Sequence, residues 1–258
     1  MFIIDPYRFG VPPFTPLSIS DCFLWLDGDD PATITMAASP KVSGWADKST
    51  NAFSFAQGDT TKQPTLNTTF YTRPCMQFDA ALTGSGLSYL ATTSGTVTPP
   101  AAHTLFAVVK WNPNSNTSYR TVALLSTTSL NAIQGGTGIP LWMIYGATTG
   151  TAGAFQVTFA GGVTAYQPSL DQAANTSSVY TYSQNGNVTS SALDRDGVSK
   201  TLTTAGTTWT PSLRALVVGS CDTTYLPRGA FAEIIMYSRV LTAGEISDVQ
   251  AYLAAKWV

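Results

Sequence analysis

The sequence predicts an all-β protein, a jelly-roll β-sandwich with a short C-terminal helix and an extended N-terminal arm. Three observations predict this fold. At least nine short strand patterns, separated by turn residues, run from residue 22 to residue 237, as in a sandwich or jelly roll. Only the last residues carry a strong helical pattern, and the first residues are rich in proline and aromatic side chains. Because the composition is even from 20 onward, we expect an arm over 1–19 and one domain over 20–258.

The arm combines four prolines with a run of large apolar side chains. The prolines Pro6, Pro12, Pro13 and Pro16 exclude a helix and interrupt strand pairing. An arm this apolar is unsuited to a solvated linker and favours a surface to lie on. That surface is either its own domain or a neighbouring subunit, and the residues predicted to dock are Phe2, Ile4, Tyr7, Phe9 and Phe14.

The strand patterns follow the arm in order. The clearest is 104–111, TLFAVVKW, which contains no strand breaker. Residues 179–184 end at Asn185-Gly186, the strongest short hairpin signal, and the chain returns over 188–193. Further strands are predicted at 23–27, 122–126, 141–145, 155–160, 198–202, 213–219 and 230–237.

The last predicted strand alternates along its whole length. One face would carry Phe231, Glu233, Ile235 and Tyr237, and the other Ala230, Ala232, Ile234 and Met236.

A helix is predicted directly after that strand. Thr242 fits the N-cap, and Glu245 completes a capping box three residues later. Leu241 and Ile246 have the spacing of a hydrophobic staple. The apolar stripe then runs through Ile246, Val249, Leu253 and Trp257.

Charge and cysteine content exclude several classes of function. Charged residues make up 11% of the chain, against about 25% in an average protein. A net charge of −2 argues against binding to nucleic acid or to anionic membranes. The cysteines Cys22, Cys75 and Cys221 form no metal-ligand spacing, and we expect them to be buried small side chains.

Targeting signals are not visible in the sequence. The first residues lack the basic region and apolar stretch of a secretory signal peptide. No run approaches the roughly 18 apolar residues that span a bilayer. We therefore expect the protein to be made and folded in a cytoplasm, with no membrane insertion.

Two blocks of sequence carry a resemblance to a known family. The first comprises LWLDGDDPATITM, VSGWADKSTNAFSFAQ, KQPTLN and RPCMQFDA between 24 and 80, and the second comprises LVVGS and AEIIMYSRVLTAGEISDVQAYLAAKW between 216 and 257. Their order and spacing resemble the concanavalin A-like lectin/glucanase superfamily, and most of all the laminin-G-like or pentraxin-like domains of bacterial and phage surface proteins. The start, MFIIDPYRF, resembles the first residues of tailed-phage virion proteins that carry such a domain.

The resemblance includes glucanases, so catalysis has to be considered. Hydrolysis of a glycosidic bond needs two facing carboxylates, and the acidic strand motif of the glucanases of this fold is absent. The chain has two glutamates: Glu245 serves the helix cap, and Glu233 is expected to bond a neighbouring strand or loop. His103, the only histidine, has no nucleophile motif around it. We therefore expect no enzyme.

Sugar binding needs flat aromatic faces beside polar groups, and several aromatic residues lie in or beside predicted loops. Each of them could equally be a core or sheet-rim residue. The predicted glycan-binding candidates are Trp111, Tyr119, Tyr166, Trp209 and Tyr225.

Calcium is the one cofactor left open, because many laminin-G-like domains bind it at the sheet rim with Asp, Asn and carbonyl oxygens. Calcium takes six to eight oxygen ligands. The candidates after the first strand are Asp27, Asp29 and Asp30, and a second cluster, Asp194 and Asp196, lies in a predicted turn. Turn propensity explains both clusters equally well.

The sequence and the resemblance together predict a non-catalytic bacteriophage virion protein, in a head, tail or fibre. Its lectin-like domain would adhere to host-surface glycans, and the arm would attach it to other virion proteins or to further copies of itself. The alternative is a purely structural decoration or cement protein without sugar binding. A third alternative is an aspartate-based glycan hydrolase.

Overall fold

The computed structural model describes residues 14–68, 72–79, 87–93, 97–111, 120–128, 140–146, 154–159, 162–167, 176–186, 190–204, 215–219 and 228–258. Of these, residues 79, 111, 120–128, 140–146, 154–159, 162–167, 203–204 and 228 are described as backbone alone. The described residues contain eighteen strands, one α-helix and two short 3-10 helices, at Pro16–Ser18 and Pro31–Thr33.

The strands occur in this order: β1 (Cys22–Asp27), β2 (Ile34–Ala38), β3 (Lys41–Ala46), β4 (Ser54–Ala56), β5 (Thr65–Asn67), β6 (Cys75–Asp79), β7 (Tyr89–Thr92), β8 (Ala102–Trp111), β9 (Arg120–Thr128), β10 (Pro140–Gly146), β11 (Ala154–Phe159), β12 (Gly162–Gln167), β13 (Ser177–Asn185), β14 (Ala192–Arg195), β15 (Val198–Lys200), β16 (Thr203–Thr204), β17 (Ala215–Gly219) and β18 (Arg228–Tyr237). The helix, α1 (Ala243–Trp257), ends one residue before the C-terminus.

These strands form two layers, and every pairing in the described part is antiparallel. The first layer has the order β15–β14–β13–β8–β18, with β1 and β6 sharing the far edge of β18. The second layer has the order β3–β4–β7–β17–β9–β10–β11–β12–β16. Strand β5 connects the layers by pairing with both β6 and β3. This β-sandwich confirms the predicted fold class.

Two apolar cores hold the layers together. The larger core lies between the two sheets and includes the buried side chains of Leu26, Trp45, Phe55, Phe78 and Phe231. The second core lies between the outer face of the first sheet and α1, and includes Trp25, Phe106, Ile235, Leu253 and Trp257. The helix is therefore a third layer on the sandwich, and its apolar stripe packs as the sequence predicts.

A β-bulge in β18 changes the predicted alternation. The register against β8 shifts between Phe231 and Glu233. Phe231 therefore joins Ile234 in the core between the sheets, while Ala230 and Ala232 lie on the helix side. The predicted faces are correct from Glu233 onward and wrong before it, because a bulge adds one residue to one strand and inverts the pattern on one side.

The start of α1 has the predicted capping box. The Thr242 hydroxyl accepts a hydrogen bond from the backbone N–H of Glu245, and the Glu245 carboxylate accepts one from the backbone N–H of Thr242. Arg239 adds a bidentate ion pair to the same carboxylate. The Arg239 guanidinium and the capping bonds lower the pKa of Glu245 to about 2.

Replacing Thr242 with alanine is expected to lower the free energy of unfolding by about 1 kcal/mol, because the substitution leaves a helix N–H without an acceptor. Urea denaturation of the two proteins measures the difference. Thr60→Ala, at an exposed threonine outside any helix, is the control. An effect of Thr242→Ala no larger than that of the control would contradict a capping role.

The segment between β3 and β4 is ordered by one carboxylate. Asp47 accepts hydrogen bonds from the backbone N–H groups of Trp25 at 2.7 Å and Ser49 at 2.8 Å, and from the Ser49 hydroxyl at 2.6 Å. The side chain of Asn51 donates to the carbonyl of Phe23 at 2.9 Å. The segment therefore bonds its own backbone, and it also anchors β1.

His103, which the sequence marked only as a residue without a motif, is fully buried at the start of β8. Its Nδ1 lies 3.1 Å from the carbonyl oxygen of Pro100. Burial lowers the pKa of His103 to about 4. Hydrogen bonds to the backbone of Pro100 and Ala101 oppose this shift but are weaker than the effect of burial.

We expect acid to destabilise the protein through His103. An unfolded histidine titrates near pH 6.5, so between pH 6.5 and 4 the unfolded state binds more protons than the folded state. The free energy of unfolding should fall by about 3 kcal/mol across this window, at about 1.36 kcal/mol for each pKa unit. Urea denaturation at pH 7 and pH 4 of the wild type and of His103→Gln measures it. Equal pH dependence in the two proteins would refute the assignment.

Candidate functional site

The β18 bulge places a fully buried carboxylate, Glu233, beneath the helix. Its Oε1 accepts from the Trp25 indole N–H at 2.6 Å and from the Tyr252 hydroxyl at 2.9 Å. Its Oε2 accepts from the Trp257 indole N–H at 2.7 Å and from the Lys256 ammonium at 2.9 Å. Four donors thus surround one carboxylate, which joins β1, β18 and α1 at a single point.

A second carboxylate shares the same ammonium group. Lys256 Nζ lies 2.7 Å from Asp27 Oδ1, and the Lys256 side chain is 15% exposed. Asp27 Oδ2 in turn accepts from Lys48 at 3.1 Å, and Lys48 also contacts Asp30 at 2.7 Å. We call Asp27, Lys48, Glu233, Tyr252 and Lys256 the polar cluster.

The electrostatics of the cluster decide whether its carboxylates can do acid–base chemistry. Burial raises the pKa of Glu233, the neighbouring Asp27 raises it further, and Lys256 and the Trp257 indole oppose this rise. Burial also raises the pKa of the Tyr252 hydroxyl, which donates to Glu233. The Lys256 ammonium occupies the space between the two carboxylates, so this pair cannot take a glycosidic bond between an acid and a base.

A cleft opens directly above the polar cluster, on the solvent side of α1. It has a volume of about 590 Å³, and its walls are Phe14, Arg73, Asp248, Ala251, Tyr252, Ala255 and Lys256. The rings of Phe14 and Tyr252 form a tilted pair with centroids 5.7 Å apart. Arg73 is 50% exposed and is held by Asp29 through an Nη1–Oδ2 contact of 2.7 Å.

This cleft presents flat apolar surface beside fixed polar groups. Tyr252 and Lys256 bond Glu233 on their buried side and line the cleft on the other. Such groups are held in place before any ligand arrives, which lowers the entropy cost of binding. Chemically, the cleft suits a ligand with one apolar face and a rim of hydroxyl or acidic groups.

The predicted glycan-binding residues are not brought together in the described part of the chain. Trp111 ends β8 and Tyr166 lies in β12, where the backbone alone is described. The other three candidates, Tyr119, Trp209 and Tyr225, lie outside the described residues. Their role in binding stays a prediction.

Apart from Phe14, which was predicted to dock on a surface, the residues that line the cleft were missed by sequence reasoning. Tyr252 is the only tyrosine of α1, and it lies off the apolar stripe one turn before Lys256. An aromatic residue off the apolar stripe of an amphipathic helix is a signal that can be read from sequence. The approach of Arg73 to this helix has no local signal.

The three carboxylates weighed as calcium ligands are engaged by cations of the protein. Asp27 bonds Lys48 and Lys256, Asp29 bonds Arg73, and Asp30 bonds Lys48. The Lys48 ammonium is the main cause that holds the pKa of Asp30 below its ordinary value. Within the described ranges, no three His, Cys, Asp or Glu side chains form a group that could hold a metal ion. Ammonium and guanidinium groups thus occupy the positions in which calcium was considered.

The second acidic pair serves a turn and the helix. Asp194 accepts from the backbone N–H of Gly197 at 2.8 Å and from the Gln250 side chain at 3.0 Å. Asp196 accepts from the backbone N–H of Val179 at 2.7 Å. These contacts agree with the turn interpretation of the pair.

Most of the predicted docking arm cannot be placed. Phe2, Ile4, Tyr7 and Phe9 lie outside the described residues. Phe14 is half-buried and packs against the core beneath α1, and Pro16 and Ile19 are buried. The segment 14–19 therefore lies on its own domain.

No protein-family model matches the chain, and no curated protein matches it. Solved structures do match. The botulinum neurotoxin serotype D binding domain has a TM-score of 0.55 at 15% identity, covering 91% of this chain and 53% of its own. The receptor binding domain of botulinum neurotoxin type G has a TM-score of 0.56 at 11% identity, covering 90% of this chain and 51% of its own.

Part of an enzyme also matches this chain. The sialidase of Trypanosoma rangeli, in complex with the inhibitor DANA, has a TM-score of 0.55 at 13% identity, covering 92% of this chain. The chain spans about half the length of the toxin domains and 34% of the sialidase. At such identities the likeness concerns the fold alone, and it shows a β-sandwich of the jelly-roll kind expected from the sequence.

No helix within the described residues is long and apolar enough to cross a membrane.

Proposed function

We propose that this chain is a non-catalytic carbohydrate-binding domain whose ligand lies in the cleft over α1. The observation that carries the proposal is the Phe14–Tyr252 aromatic pair, flanked by Arg73, Asp248 and Lys256 in one cleft. A pyranose offers an apolar face to such rings and hydroxyl groups to the charged rim. Support also comes from the fold shared with receptor-binding domains of neurotoxins.

The absence of catalysis is part of the proposal. Glu233 is saturated by four donors, and Glu245 is bonded to the helix cap and to Arg239. A general acid or base must reach the proton that it transfers, and Glu233 is 0% exposed. A carbohydrate-binding role needs neither residue to react.

Glycan binding to the wild type, screened on a glycan array and followed by titration, tests this function. We expect Phe14→Ala to weaken glycan binding about tenfold. This corresponds to about 1.4 kcal/mol of binding free energy, which is what one aromatic contact can contribute. Phe53→Ala is the matched control, because Phe53 is also half-buried and pairs with another ring, that of Phe23, at 5.3 Å outside the cleft. A folded wild type that binds no glycan would overturn the proposal and favour a purely structural role.

We further propose that the domain is displayed on a bacteriophage virion. The resemblance of its two sequence blocks and of its first nine residues to phage surface proteins supports this location, as does its weakly charged surface composition. Mass spectrometry of purified particles from a lysate should find the chain at a fixed ratio to the other particle proteins. Recovery only in the particle-free supernatant would contradict this location.

A further inference from the structure

A second cavity lies next to the cleft, on the other side of the Arg73–Asp29 ion pair. It is a groove of about 210 Å³ lined by Gly28, Asp29, Pro31, Ile34, Met36, Leu66 and Pro74. Most of this lining is apolar, and Met36 is 40% exposed. Asp29 belongs to the groove and Arg73 to the cleft, so one ion pair separates the two.

The groove runs beside an open sheet edge. Strand β2 pairs with β3 on one side, and its other side pairs with no strand in the described part of the chain. Four of its five residues are exposed. Ile34 and Met36, two positions apart, point into the groove, as expected for one face of a strand. An open edge beside an apolar groove can bind an extended segment as an added strand, with alternate side chains of that segment in the groove.

The described part of the chain begins at Phe14, beside the cleft that adjoins this groove. Residues 14–19 already pack on the domain: the Tyr237 hydroxyl donates to the carbonyl of Pro16 at 2.9 Å, and Phe14 contacts Tyr252. Phe14 shares the cleft with Arg73, whose guanidinium bonds the Asp29 that lines the groove. Thirteen further residues precede Phe14. Extended at about 3.3 Å per residue, they reach about 43 Å.

The composition of these residues fits the groove. Met1 to Asp5 contain no proline, and Phe2 and Ile4 have the spacing that puts both side chains on one face of a strand. We propose that residues 1–13 bind in cis to their own domain, with Phe2 and Ile4 in the groove and the backbone paired to the free edge of β2. The tether keeps the local concentration of the segment high, which favours its own groove over that of another copy. Glycan binding in the cleft is not required for this docking.

Trypsin cleavage after Arg8 measures the docking in the full chain. Arg8 is the only lysine or arginine in the first forty residues, so the loss of eight residues is identified by mass. A docked arm must open before it is cut. We expect Met36→Glu to raise the cleavage rate at Arg8 by at least about tenfold, the ratio that about 1.4 kcal/mol of docking free energy gives. Phe2→Asp should have the same effect.

Val198→Glu is the matched control. Val198 is 57% exposed on β15, a strand remote from the groove, and its substitution should leave the rate at Arg8 unchanged. Thermal unfolding verifies that each variant is folded. Rapid cleavage in the wild type, or a rate unaffected by Met36→Glu, would overturn the proposal. Protection that increases with protein concentration would overturn it in favour of exchange of the arm between copies.

Discussion

Lys256→Met is expected to lower the free energy of unfolding by about 3–5 kcal/mol, the usual result of removing one partner from a buried ion pair. The ammonium lies 2.7 Å from Asp27 and 2.9 Å from Glu233. Without it, two carboxylates would be buried beside each other with no cation between them. Urea denaturation of the wild type and the variant measures the loss.

Two further variants serve as controls for this result. Lys62→Met removes an exposed ion pair with Asp59, and the expected loss is below about 1 kcal/mol. The double variant Lys256→Met, Glu233→Gln should recover part of the stability, because it removes one of the uncompensated charges. If Lys256→Met costs no more than Lys62→Met, the cluster does not hold the helix to the sheet.

Gly219→Ala is expected to cost about 2–5 kcal/mol, by overpacking and by backbone strain. Gly219 ends β17 with a φ of +103°, and a Cβ built there would lie 2.3 Å from the carbonyl oxygen of Ser88 and 2.5 Å from the Phe78 ring. Both neighbours are buried: Phe78 belongs to β6 and to the larger core, and Ser88 directly precedes β7. The thermal unfolding midpoint and the urea midpoint of the variant should both fall.

Gly186→Ala separates these two causes. Gly186 also has a positive φ, +67°, but a Cβ there would meet no atom within 4 Å. Its replacement should cost only about 1–2 kcal/mol of backbone strain. Equal losses at the two positions would show that the close approach to Ser88 and Phe78 does not matter.

The polar cluster also bears on the proposed binding function. Tyr252 and Lys256 form part of the cleft wall while their polar groups are bonded to Glu233. A wall anchored in this way has little freedom to lose when a ligand binds. The cleft therefore depends on a cluster whose carboxylates no ligand needs to touch.

The features predicted correctly from the sequence are those that neighbouring residues determine. Thr242 and Glu245 lie three residues apart, and the capping box between them needs only local geometry. The same holds for the predicted turn that carries Asp194 and Asp196, where Asp194 accepts from the backbone N–H of Gly197. By contrast, the strand that pairs with β13 after Asn185-Gly186 begins at Ala192, four residues later than the predicted residue 188. The fold class followed from many such local signals together with the order of the two resembling blocks.

The features that sequence reasoning missed depend on distant pairing. The bulge in β18 is a mismatch with β8, a strand more than a hundred residues earlier, and no alternation within β18 reveals it. Glu233 meets Asp27 and Lys256 because β1, β18 and the helix converge. The aromatic cleft likewise joins Phe14 to Tyr252 across almost the whole chain.

By itself, the sequence determined the capped helix, the sandwich class and long strands such as β8 and β18, because propensity, periodicity and capping act over a few residues. Strands β2 to β5, β7 and β12 were not predicted. Only the tertiary structure decided which side chains share a site. Burial made Glu233 a saturated anchor, cations occupied the three aspartates weighed for calcium, and helix packing placed Tyr252 over the cluster. Charged groups find their partners through space, so their roles follow from how the strands and the helix pack.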